Sequence, residues 1–211
     1  MAQDPNLGPP VALWDPLVRI SHWGLAIVVI ANALITRGGS ALHVGIGWAA
    51  LALLILRIGW GLVGVPEARF SAFPLDPRAA LAHLRSLLTG AAPPHYRSHN
   101  PAGAVMAYAL WGTLALVIAT GLTMTTASPL KLARQEAIVA SGDWSALVTA
   151  DQPAEDTGLI NRKLVRGVHN VAANLMLVLA ALHVGGVLVE SRAMRRNLVA
   201  PMVAGHRGQR E

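Results

Sequence analysis

Charged residues are missing from four long intervals of the chain. Seventeen uncharged residues separate Arg19 from Arg37, nineteen separate Arg37 from Arg57, thirty-three separate Arg97 from Lys131, and twenty-three separate Arg166 from Glu190. The apolar text after Arg57 continues to Val65. A helix needs about 20 residues to cross the hydrocarbon of a bilayer. The pattern therefore predicts four spanning helices, at about 17–36, 41–64, 101–126 and 165–190. It leaves one long connection at 65–100 and another at 127–164, within a single membrane domain over 1–211. Residues 1–16 carry Asp4, Asp15 and four prolines, with no basic stretch before an apolar core. That is no cleavable signal, and the first span is expected to stay in the protein.

Composition agrees with the pattern. Charged residues make up 13% of the 211 and hydrophobic ones 54%, against about 25% charged in an ordinary soluble domain. A soluble domain of this size has too little interior for that apolar surface, so the expected class is all-α, a transmembrane four-helix bundle. The chain has no cysteine, which excludes disulfide scaffolds, iron–sulfur clusters, Cys-ligated zinc and covalently attached haem.

The net charge of +6 reads as topology rather than as a nucleic-acid footprint. With both termini inside, eleven arginines fall on the inner side and six Lys or Arg on the outer side. The excess predicts N-in/C-in and a bacterial inner-membrane, multi-pass chain in contact with the lipid bilayer. The 127–164 loop then lies outside and carries Glu136, Asp143, Asp151, Glu155 and Asp156. In the inner loop, Asp76 can cap a short helix, Pro77 suits its first position and Gly90 can end it. Leu81, Leu84 and Leu88 share one face, which predicts an interfacial helix. Trp14, Trp23 and Trp60 read as an aromatic belt on the same side.

Four of the eight histidines, His22, His43, His169 and His183, fall inside the predicted spans. Ionisable side chains in a bilayer are costly and mark functional sites. His169 and His183 are 14 residues apart, about 40° short of four full turns, so they share a face and stand roughly 21 Å apart along the axis. Depth pairs the rest. His22 enters from the inner side at the level of His183, and His43 starts the second span at the level of His169. Two neutral imidazoles from different helices suit one low-spin haem iron. Zinc asks for three or four ligands, and a proton relay recruits carboxylates, which these depths lack. Two non-covalent haem b groups are the expected cofactors. Gly45, Gly47, Gly167, Gly185 and Gly186 flank the histidines and would allow close approach. Arg57, 14 residues after His43, and Arg19, three before His22, are the candidate propionate partners. His83, His95 and His206 are expected to be solvated. His99 is expected to cap or lie at the surface, with contact to a quinone or propionate as the alternative.

The run Trp14-Asp15-Pro16-x-Val18-Arg19-x-x-His22-Trp23 resembles the opening of bacterial cytochromes of the b561-like group, which includes the cytochrome subunit of membrane-bound nickel–iron hydrogenases. His43-x-x-x-Gly47 with Leu56-Arg57-Ile58-x-Trp60-Gly61-x-x-Gly64 is similar to its second span. His99-Asn100-Pro101-x-Gly103 resembles the entry to its third, and His169-Asn170 with His183 its fourth. The resemblance covers about residues 12–205 and is weakest over 127–164. It implies a di-haem membrane cytochrome that exchanges electrons with quinone, with His22, His43, His169 and His183 as axial ligands. The partners it implies include a c-type cytochrome, a hydrogenase or another dehydrogenase. The lipid-facing surface of four helices would also serve a homodimer. Two other functions compete. A stand-alone superoxide:quinone oxidoreductase would use cations near the outer haem, where Arg162, Lys163 and Arg166 precede His169. A non-redox transporter or assembly protein would use the same histidines for protons or metal.

Overall fold

The computed structural model describes residues 15–89, 99–125, 127–142, 161–195 and 197–204. Every described element is helical. In chain order they are α1 (Pro16–Leu34), α2 (Ala41–Val63), two 3₁₀ turns (Pro66–Ala68 and Phe70–Ala72), α3 (Pro77–Leu88), α4 (Pro101–Met124), α5 (Pro129–Ser141), α6 (Arg162–Ala193) and α7 (Ala200–Ala204). Four of them, α1, α2, α4 and α6, are long and apolar enough to cross a membrane.

The helix starts follow from local chemistry. Asp15 Oδ1 accepts from the Leu17 and Val18 amides ahead of α1, and Ser40 Oγ accepts from the His43 amide ahead of α2. Asp76 caps α3 through the Ala79 amide, Asn100 caps α4 through the Gly103 amide, and Asn161 caps α6 through the Leu164 amide. Proline follows the cap at positions 16, 77, 101 and 129, where its missing N–H costs nothing. Between α1 and α2 the chain turns through Gly39 at φ +80°, a conformation that favours glycine.

Most of the apolar surface points outward. Ile20, Ile27, Ile30 and Leu34 on α1 are each more than half exposed. Between 11% and 22% of the most apolar window of each long helix is buried within the chain. Such surface suits lipid, where apolar side chains lose nothing by facing the solvent.

The chain divides into two compact units. One holds Met1–Trp23, Ile55–Trp111 and Leu177–Glu211; the other holds Gly24–Leu54 and Gly112–Met176. The first has Val18, Ala68, Phe73, Ala80 and Ala104 at its core, with the polar residues Ser21, Arg57 and His83 also buried. The second buries Ala50, Leu54, Leu114, Ala172 and Met176.

The structure departs from the sequence expectations at several places. Helix α6 begins at Arg162, ahead of three cations, because Asn161 supplies the cap. Helix α5, Pro129–Ser141, was not foreseen; Ser128 caps it and Gly142 at φ +75° ends it. The short helix expected in the 65–100 connection appears as α3, with Leu81 and Leu84 half exposed. It ends at Leu88 with Thr89 as its C-cap; Gly90 lies outside the described residues. His83 is not solvated as expected. It is 5% exposed, because α3 turns that face toward Glu190 of α6, whose Oε1 stands 3.7 Å from His83 Nε2. His95, His206 and Trp14 lie outside the described residues.

Candidate cofactor-binding sites

In the first unit, α1 and α6 bring His22 and His183 together with ring centroids 6.1 Å apart and planes at 57°. In the second unit, α2 and α6 bring His43 and His169 to 6.3 Å and 65°. A metal–imidazole bond is about 2 Å long and the nitrogen lies about 1 Å from its ring centroid. Two imidazoles on opposite sides of one metal therefore hold their centroids roughly 6 Å apart. Both pairs meet that spacing. Among the described residues, no group of three or more His, Cys, Asp or Glu comes together as a metal site. The donor sets are thus two-imidazole sets, which fit a porphyrin iron already held by four pyrrole nitrogens and do not fit zinc.

In the second unit hydroxyls orient the two imidazoles. His43 Nδ1 lies 3.0 Å from Thr36 Oγ1, and His169 Nδ1 lies 3.0 Å from Thr120 Oγ1. Asn32 donates its amide to the His43 carbonyl at 3.1 Å and accepts from the Thr36 hydroxyl through its own backbone oxygen at 2.9 Å. Gly121 leaves room for the His169 ring, whose Cε1 would stand 3.4 Å from an added Cβ. Glu136 of α5 accepts from the Ala41 amide at 2.9 Å, two residues before His43. Sequence reading missed Thr36, Thr120, Asn32 and Glu136. The available signal was a polar residue within a largely apolar helix, which Asn32 and Thr120 are, while Thr36 follows the end of α1.

The first site is built differently. His22 Nδ1 is buried and has no hydrogen-bond partner among the described residues. Arg57 is 4% exposed. Its guanidinium lies 4.9 Å from the Trp111 ring centroid and reaches the Ala68 carbonyl only at 3.4 and 3.5 Å. No carboxylate stands within ion-pair distance of it among the described residues. A buried cation with no ion-pair partner is costly, and the carboxylate of a bound group would lower that cost. The aromatic wall continues through Phe70, Phe73 and Tyr108. A Cβ on Gly61 would run into the Phe70 ring, so this glycine lets the ring lie against α2.

His99 stacks on Phe73 at 4.5 Å. The cap of α4 is Asn100 and not His99. Burial lowers the His99 pKa to about 4, and Arg57, His183 and His22 push in the same direction. His99 is therefore held toward the neutral form beside the first site, partly exposed and not capping α4. Arg19 donates through Nε to the Met202 carbonyl at 3.2 Å and through Nη2 to the Val203 carbonyl. Trp23, 40% exposed, donates to the same Met202 carbonyl. An added Cβ at Gly47, Gly167, Gly185 or Gly186 would meet nothing within 4 Å, so the helix faces at these glycines are open.

The chain's residues 13–205 match the family model described as prokaryotic cytochrome b561. No curated protein and no solved structure matches the chain. The match spans all four membrane-crossing helices and both imidazole pairs, and the chain belongs to the prokaryotic cytochrome b561 family.

Proposed function

We propose that this chain is a di-haem b-type cytochrome that carries electrons across the bacterial inner membrane between a redox partner and the quinone pool, with both termini inside. The observation that carries this reading is the pair of imidazole couples, with centroids 6.1 and 6.3 Å apart, in separate units of one chain. When bound, haem supplies reversible one-electron chemistry at its iron.

The protein's own residues do the rest. His22 and His183 would hold the iron of one haem, and His43 and His169 that of the other. Arg57, within the buried aromatic wall, would pair with a haem propionate at the first site, and Arg19 is a second cation of that unit. Thr36 and Thr120 hold the ring orientation of His43 and His169. His99, beside the first site on Phe73, would hydrogen-bond a quinone oxygen there.

The acidic 127–164 segment, whose Asp143, Asp151, Glu155 and Asp156 lie outside the described residues, would receive a basic partner such as a c-type cytochrome, or a hydrogenase or dehydrogenase subunit. A second reading rests on Arg162, Lys163 and Arg166, all exposed on the first turns of α6 ahead of His169. Such cations would draw superoxide to the second site and make the protein a stand-alone superoxide:quinone oxidoreductase.

The test is a reduced-minus-oxidised optical spectrum of the detergent-purified protein with haem counted per chain. Sharp b-type bands and two haems per chain are expected. One haem would break a ligand pair, and a colourless folded protein would overturn the reading. Quinone reduction by superoxide with no partner present separates the second reading from the first.

A further inference from the structure

The two imidazole couples have different surroundings, and the differences act in one direction. At the second site each ring is tied through Nδ1. The Thr36 hydroxyl has one proton and the Asn32 carbonyl to give it to at 2.9 Å; the Thr120 hydroxyl has the Leu116 carbonyl at 2.7 Å. Each hydroxyl oxygen is then an acceptor toward its imidazole, so Nδ1 carries the ring proton and Nε2 keeps its lone pair. A hydrogen bond given by the far nitrogen raises the basicity of the metal-facing one. A more basic ligand favours the oxidised iron.

The first site has the opposite character. His22 Nδ1 is buried without such a bond among the described residues. The same unit holds Arg57 as a buried cation over Trp111, while Arg162, Lys163 and Arg166 in the other unit are exposed. Positive charge in a low-dielectric surrounding favours the site that has gained an electron, and an exposed charge is screened.

We propose that the His43–His169 site is the lower-potential centre, held there by Thr36 and Thr120, and that electrons run downhill from it to the His22–His183 site. This rests on the di-haem reading above. The step balances as one electron leaving the iron at the second site and reducing the iron at the first, with no bond made or broken. Thr36 and Thr120 are positioning residues that act through their histidines.

The experiment is an optically monitored potentiometric titration of the purified holoprotein. His22→Ala or His183→Ala, each expected to leave only the second site loaded, identifies which step belongs to it. That step is expected to be the more negative. Thr36→Val and Thr120→Val should each move it positive and leave the other step unchanged. Together they should shift the sharing of an electron between the sites by about tenfold, which is about 59 mV for a one-electron couple. Thr120→Ser keeps the hydroxyl and should leave the step in place. The proposal is overturned if the second-site step is the more positive, or if both valine variants leave it unmoved. Where a valine variant loses its haem, the order of the wild-type steps decides alone. Absence of a second haem in the wild-type protein would instead overturn the di-haem reading, and is seen in the haem count before any titration.

Discussion

The Arg57 guanidinium lies 4.9 Å from the centre of the Trp111 ring, at 4% exposure. Its attraction to the ring face is worth about 2 kcal/mol when desolvated, less than a buried charge costs. Removing the charge should therefore have opposite effects on the two forms of the protein. Arg57→Met should stabilise the haem-free chain. It should also weaken haem retention at the first site by roughly 10- to 100-fold, the range of about 1.5–3 kcal/mol for a lost charged hydrogen bond. Denaturation of the haem-free protein and haem dissociation rates check the two signs. Weakened haem retention without a gain in apoprotein stability would show that Arg57 is already compensated by the protein.

The proposed ligand pairs can be separated by single substitutions. His22→Ala and His183→Ala should remove one and the same component from the reduced-minus-oxidised spectrum. His43→Ala and His169→Ala should remove the other. Loss of the same component by His22→Ala and His43→Ala, with the other spared, would contradict the pairing.

Asn100 links two structures at once. Its Oδ1 caps α4 through the Gly103 amide, and its Nδ2 donates to Glu190 Oε2 at 2.5 Å. Glu190 in turn faces His83 of α3. Asn100→Ala should lower stability by about 1–3 kcal/mol, from the lost cap and the partly desolvated carboxylate left behind. It should also loosen α3, so that His83 becomes open to imidazole-modifying reagents. A thermal melt in detergent and peptide mapping after modification read both effects. An unchanged melt would mean that water replaces the amide at Glu190.

His99 gives the pH dependence a sign. Its pKa falls from 6.5 in the unfolded chain to about 4 in the folded one. Above 6.5 both states are neutral at this position and the contribution is constant. As pH falls from 6.5 towards 4, the unfolded chain takes up a proton that the folded one refuses, and stability drops by up to about tenfold in the folding constant per pH unit. Below 4 the loss levels off. The difference in pH-stability curves between the haem-free wild type and His99→Gln isolates this contribution. Parallel curves would mean that His99 is not held neutral.

The sequence by itself determined the features that depend on one stretch of chain. The four spans follow from the charge-free intervals, because a charge in hydrocarbon is costly wherever the helix ends up. The cap at Asp76 follows from a polar side chain that reaches its own backbone, whereas those at Asp15, Asn100 and Asn161 appear only in the structure. The 14-residue spacing of His169 and His183 places them on one helix face whatever the neighbours do. Depth in the membrane then matched them to His22 and His43, and the structure brings those rings together.

Tertiary structure decided the contacts made through space. Nothing in the composition of α3 distinguishes a His83 facing water from one facing Glu190, since the side chain suits both and only the docking of α3 selects. Thr120 and His169 are 49 positions apart, and Glu136 and Ala41 are 95 apart. A hydroxyl on an apolar helix can always return its proton to its own backbone, so its second partner appears only when another helix packs against it. Arg57 lies 14 residues from His43 in the sequence, yet its burial over Trp111 depends on how α2, α4 and the Phe70–Phe73 turn close around it. Periodicity and charge along the chain set where the four histidines stand, and packing between helices set what each is hydrogen-bonded to.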